Sequence, residues 1–232
     1  MAKKKDQFDF SAFVAEMSKK PAPKLQLDSK DELKYFLIVS EGERTEPIYF
    51  NYLASQLPKH MVNTIEVDGA GDNTLNVVNK AIELRDERKA NKLKPNFDEV
   101  WAVYDKDDFP DARYNLAVET AGQNGIESAH SNQSFELWYV LHFQYLQSAL
   151  HRDDYYPILS GHLGLKYAKN TLDVVKRIES LGNEKQAIAW AKALEEMHVG
   201  QSQAKSCPST RVYELVERLR KYIDQTKNNK DL

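Results

Sequence analysis

The stretch Asp98-Glu-Val-Trp-Ala-Val-Tyr-Asp-Lys-Asp-Asp108 decides the fold. Val100 to Tyr104 is a short apolar run, branched and aromatic, without a helical period; that is the composition of a strand buried on both faces. It stops abruptly in Asp105, Asp107 and Asp108. Ligands of open α/β sheets sit just beyond the carboxyl ends of strands, so acids delivered there face a cleft. Crowded carboxylates raise one another's pKa, and a bound cation relieves them. Alternate residues of an extended chain project to one side, which brings Asp105 and Asp107 toward a single ion.

The segments on either side repeat the pattern. Upstream, Tyr35-Phe-Leu-Ile-Val39 reads as a second doubly apolar strand, followed by Ser40-Glu-Gly-Glu-Arg-Thr-Glu-Pro47. Glu41 and Glu43 thus stand at another strand exit, where Gly42 leaves room near the backbone. Thr45 is the expected N-cap of a helix carrying Phe50, Leu53 and Leu57 on one face. Asn63 to Val67 is a third strand. The glycine-rich turn Asp68-Gly-Ala-Gly-Asp72 follows it, read as a flexible connection rather than a phosphate cradle because its aspartates oppose an anion. Helices are expected over about Thr74–Ala90 and Ala112–Gln123, with a fourth strand over Gly125–His130. Strand and helix in alternation imply right-handed crossovers and a mostly parallel four-stranded sheet covered on both faces.

Beyond Ser131-Asn-Gln-Ser134 the period is helical. Phe135 to Tyr145 forms an apolar helix containing Glu136 and His142, and Asp153 to Pro157 is a polar, aromatic stretch before a loop marked by Gly161 and Gly164. Three more helices follow, near 171–181, 185–197 and from Val212 to about Thr226. The expected organisation is a flexible basic and aromatic tail over 1–32, an α/β domain over 33–145 and a helical extension over 146–232 packed on it. The tail's phenylalanines also suit a docking peptide that folds on a partner.

Composition narrows the chemistry. The 232 residues carry a net charge of −3, so no global basic field advertises nucleic acid, and the single Cys207 excludes an intrachain disulfide or a cysteine zinc cage. No apolar run is long enough to span a membrane, and the lysine-rich start is followed by no signal-type apolar segment; a cytoplasmic protein is expected. Hard oxygen donors at strand ends, with few histidines, suit Mg²⁺ or Mn²⁺.

Taken together, Leu37 to Phe50, Glu99 to Asp108, Ser131-Asn-Gln-Ser-Phe-Glu-Leu-Trp138 with Leu141-His142, and Pro208-Ser-Thr210 resemble the RloB family, whose members are related to the Toprim fold and lie beside restriction-modification and abortive-infection loci. The resemblance implies a Toprim-like α/β fold and a metal-dependent nuclease acting as an antiphage effector. It implies Glu41 as the proton acceptor or donor and as a metal ligand, Asp105 and Asp107 as metal ligands, Glu136 completing the metal site, and His142 packing on or orienting it, with a buried structural histidine as the alternative. Glu43, Glu46, Asn132 and Asp108 are expected to stand behind these acids. Arg44, Lys106, Lys166, Lys169 and Lys205 are the candidate phosphate contacts, or merely solvated charges. The implied partners are nucleic acid (RNA, tRNA included, or DNA) and an AAA or ABC-type ATPase from a neighbouring gene, with self-association open and no membrane. Gln133 and Cys207 stand where the family pattern has proline and asparagine. The alternatives are a non-catalytic adaptor or sensor on an ATPase, and a phospho-aspartate receiver or phosphatase. The latter wants an acidic pair after the first strand, where this chain has Ser-Glu-Gly-Glu.

Overall fold

The computed structural model describes residues 33–70, 73–169 and 171–228; the expected tail over 1–32 and the Gly71-Asp72 half of the glycine turn lie outside them. From Leu33 onward the chain forms one compact unit. Its strands are β1 (Phe36–Ser40), β2 (Ile65–Gly69), β3 (Glu99–Asp105), β4 (Glu127–Asn132) and β5 (Ser209–Thr210), in the order β2-β1-β3-β4-β5. The first four run parallel and β5 is antiparallel to β4. The result is an α/β fold with one strand more than expected: Pro208-Ser-Thr210 supplies the edge, where Thr210 pairs with Ser131 and their hydroxyls lie 2.9 Å apart.

Alternation along the strands divides the core. Phe36, Ile38, Trp101, Val103 and Ala129 project to one face, and Leu37, Val39, Val100, Ala102 and Tyr104 to the other. The second face is covered by α2 (Thr74–Ala90) and α3 (Asp111–Gln123). The first is covered by α1 (Thr45–Ala54), α4 (Glu136–Leu141), α5 (Tyr155–Leu163), α6 (Leu172–Leu181), α7 (Glu184–Met197) and α8 (Val212–Asn228). The C-terminal helices therefore complete the main core. Tyr222 of α8 packs its ring 5.4 Å from that of Phe36 and shares a hydrogen bond with Thr64.

Two local expectations are corrected. Gly161 lies inside a helix rather than a loop: Pro157 sits in the first turn of α5, where no N–H is needed, and the helix stops at Gly164, which takes the left-handed conformation at φ 65°. Thr45 is the first helical residue of α1 rather than its cap; Arg44 holds the cap position and makes no side-chain cap bond. Glu46 does that work instead, its carboxylate accepting from its own N–H and that of Gly42.

Glycine matters where β2 passes the loop after β1. A Cβ on Gly69 would lie 2.9 Å from both the Glu43 Cα and the Gly42 carbonyl oxygen, so backbone would have to move. Gly69→Ala is expected to lower the unfolding free energy by about 1–3 kcal/mol, measured by urea denaturation.

Candidate functional site

β1 and β3 are hydrogen-bonded neighbours, with Ser40 opposite Val103, so their carboxyl ends emerge side by side. The Glu41 N–H donates to the Val103 carbonyl at 2.9 Å, and the Asp105 N–H donates to Glu41 Oε2 at 3.1 Å. The Glu41 carboxylate therefore lies against the Asp105 backbone and ties the two strand exits together. Asp105 Oδ2 accepts from the Phe135 N–H at 3.0 Å, which ties β3 to the turn before α4. Glu41, Asp105 and Asp107, together with Glu43, Glu46 and Glu136, line one cleft of about 400 Å³. Arg44 and Lys169 supply its positive charge.

Glu46 is the acid whose importance sequence reasoning understated. At the first turn of a helix a glutamate reads as a dipole partner. Here it is only 5 % exposed, and its carboxylate lies where a Cβ on Gly42 would fall 2.2 Å from Oε2. Burial, with Glu136 adding to it, pushes Glu46 up to about 7. Burial first, then the charges of Glu46, Asp107, Glu136 and Glu41, holds Asp105 well above the usual carboxylate range. The cleft is thus over-supplied with negative charge.

Glu136 is 1 % exposed and fully engaged: Oε2 accepts from the Ser134 hydroxyl at 2.8 Å, and Oε1 from Tyr167 at 3.1 Å and Lys169 Nζ at 3.1 Å. Asp107 takes a positive φ of 43° and its N–H donates to the Gln133 carbonyl at 3.0 Å. Its carboxylate pairs with Arg152 Nη1 at 2.7 Å, while Nη2 reaches Asp108 at 2.8 Å. The Asn132–Gln133 and Cys207–Pro208 peptide bonds are cis.

Several expected residues lie elsewhere. His142 leaves the site: it is buried against Trp138, donates Nδ1–H to the Trp138 carbonyl at 2.9 Å and lines a different cleft with Tyr49 and Arg220, so it cannot orient Glu136. Asn132 faces the C-terminal segment, donating to the Ala204 carbonyl at 2.9 Å. Lys106 turns inward to the Phe109 carbonyl and to Asp111 at 3.3 Å, and so does not present its charge to a phosphate. Lys166 and Lys205 are exposed and stand outside the cleft lining.

The donor set fits a hard divalent cation: carboxylate oxygens, no histidine or cysteine, and two acids forced toward their protonated forms. The side chains as they stand do not close on one. Among the described residues no group of three or more His, Cys, Asp or Glu side chains has metal-holding geometry. Two of the four expected ligands, Asp107 and Glu136, are held by Arg152 and Lys169.

Fold and cleft together define a mostly parallel α/β protein with an acidic site where two adjacent strands end. The RloB-like protein family model matches residues 36–219, and the chain belongs to that family. No curated protein and no solved structure matches it. No helix among the described residues is long and apolar enough to cross a membrane.

Proposed function

We propose that this chain is a Mg²⁺- or Mn²⁺-dependent, Toprim-like nuclease that hydrolyses phosphodiester bonds of RNA, tRNA included, or of DNA. In this reading it acts in the cytoplasm as the effector of a bacterial antiphage, abortive-infection system controlled by an AAA or ABC-type ATPase. One observation carries it: Glu41 and Asp105, from adjacent parallel strands, meet in a cleft with four further carboxylates at Glu43, Glu46, Asp107 and Glu136.

Glu41, Asp105 and Asp107 would hold the ion. A bound Mg²⁺ or Mn²⁺ supplies charge to the phosphoryl oxygens and acidifies a water. Glu41, whose carboxylate accepts from the Asp105 N–H, would take a proton from the attacking group. Lys169, exposed at the cleft edge, offers an ammonium to the phosphate backbone, and Arg44 a guanidinium. The buried Glu136 fixes Lys169 and Tyr167, and with them the wall of the cleft.

The test is cleavage of supercoiled DNA, single-stranded DNA and total tRNA by the purified chain, with and without the neighbouring gene's product, in Mg²⁺, Mn²⁺ or EDTA. Cleavage that needs the divalent ion and disappears in Asp105→Asn and Glu41→Gln is the expected result. Full activity in EDTA would refute the metal mechanism.

A second reading, a non-catalytic adaptor or sensor on an ATPase, draws on the pairing of Asp107 and Glu136 with Arg152 and Lys169. An adaptor is indifferent to Asp105→Asn and Glu41→Gln, whereas the nuclease is not.

A further inference from the structure

The cations that occupy the cleft's acids come from the two ends of one segment. Arg152 opens the single 3₁₀ turn Arg152–Asp154 that leads into α5, and Lys169 follows that helix. The base of Arg152 is fixed: the His151 N–H donates to Asp154 Oδ2 at 3.2 Å, and His151 Nδ1 accepts from the Asp153 N–H at 3.3 Å. From there the guanidinium fork spans two carboxylates, Asp107 at 2.7 Å and Asp108 at 2.8 Å. Asp107 is also held through its main chain, by a left-handed φ and the bond to Gln133. Its carboxylate is therefore in place, and what it faces is an arginine.

We propose that Arg152 is a latch on the Asp105-Lys-Asp-Asp108 loop, occupying Asp107 in direct competition with a divalent cation, so that the cation site closes only when the fork lets go. The inference rests on the divalent-cation reading of the cleft and adds to it the residue that regulates its assembly. It accounts for the coexistence of a donor set suited to a hard cation with side chains that do not converge on one. Arg152 and Asp107 keep side-chain exposures of 28 % and 31 %, and partly exposed pairs of this kind are weak enough for a divalent ion to displace. The fork geometry matters because a planar guanidinium donates to two carboxylates at fixed angles, whereas an ammonium is a point charge without that fork. Arg152 is thus a positioning residue, acting through Asp107.

Titration of the full chain with Mn²⁺ by calorimetry reads the competition without any activity assay. Arg152→Gln is expected to bind Mn²⁺ about tenfold tighter than the unaltered chain, and Arg152→Lys about threefold tighter. The lysine variant separates a latch from a simple field effect, since it keeps the charge and loses the fork. Arg152→Lys that binds as the unaltered chain does overturns the proposal, as does Arg152→Gln without a gain, provided both melt as cooperatively as the parent. Asp105→Asn placed in the Arg152→Gln background tests the underlying reading separately. Loss of Mn²⁺ binding there, with no gain in the Arg152 variants, sinks the latch alone; binding that survives Asp105→Asn sinks the cation reading and the latch with it.

Discussion

Replacing Glu46 by glutamine is expected to raise the unfolding free energy by up to about 3 kcal/mol at pH 8 and to change it little at pH 4. Burial raises this carboxyl from its ordinary 4.5 to about 7, at about 1.4 kcal/mol per unit. The sign follows from which state holds the proton more tightly. The folded protein does, so the stability this group contributes is present below 4.5 and is lost as pH rises to about 7. Above pH 7 the folded chain must hold a buried anion, and an amide of the same shape relieves it while still accepting from the Gly42 and Glu46 N–H groups. Asp105→Asn has the same sign, because its carboxyl is also raised by burial and by its acidic neighbours. On the nuclease reading that variant lowers cleavage by about 100-fold or more while making the protein harder to unfold. Urea denaturation at pH 4 and pH 8 is the measurement. A Glu46→Gln gain that stays constant across this range would mean that the carboxyl ionises as freely folded as unfolded.

Much of the frame follows from period and from where each apolar run stops. The runs ending at Val39 and Tyr104 are too apolar for an exposed element and too short for a buried helix, so parallel strands with Glu41 and Asp105 at their exits are legible before any coordinates. The fifth strand is not, because two residues paired through Ser131 and Thr210 carry no periodic signal. Glu46 is expected at the site, but its burial is hidden for a different reason: a first-turn glutamate is ordinary, and only the position of Gly42 under its carboxylate reveals it. Arg152 is harder still. It stands far along the chain from Asp107, in a polar stretch where an arginine is unremarkable, and only tertiary contact brings its fork onto the aspartates. His142 misleads in the opposite direction. Sharing an apolar helical run with Glu136 suggests a shared site, yet it packs against Trp138 and Gly182, away from the acidic cleft.

That packing gives His142 a thermodynamic role, which it shares with His130. Burial lowers each imidazole from 6.5 to about 4. His130 sits between Tyr104 and Tyr114, its Nδ1 accepting from the Ser128 hydroxyl at 3.1 Å and its Nε2–H donating to Gln203 Oε1 at 3.1 Å. His130 is bonded at both nitrogens as the neutral base, and His142 is held through its Nδ1–H on the Trp138 carbonyl. The unfolded chain takes up those protons from pH 6.5 downward and the folded chain does not until about pH 4, so stability is lost as pH falls through that window. At about 1.4 kcal/mol per unit each histidine removes about 3 kcal/mol, and the pair about 6 to 7. Glu46 works against them with about 3 kcal/mol over pH 7 to 4.5, and Asp105, raised in the same direction, adds to that opposition. His130→Gln and His142→Asn each keep one donor, toward Gln203 or toward the Trp138 carbonyl, and cannot gain a charge. Each variant is expected to flatten the fall by about 3 kcal/mol, measured as the unfolding free energy at pH 8, 6 and 4, even where it costs some stability at pH 8. An unchanged slope in both would place the acid lability outside these two rings.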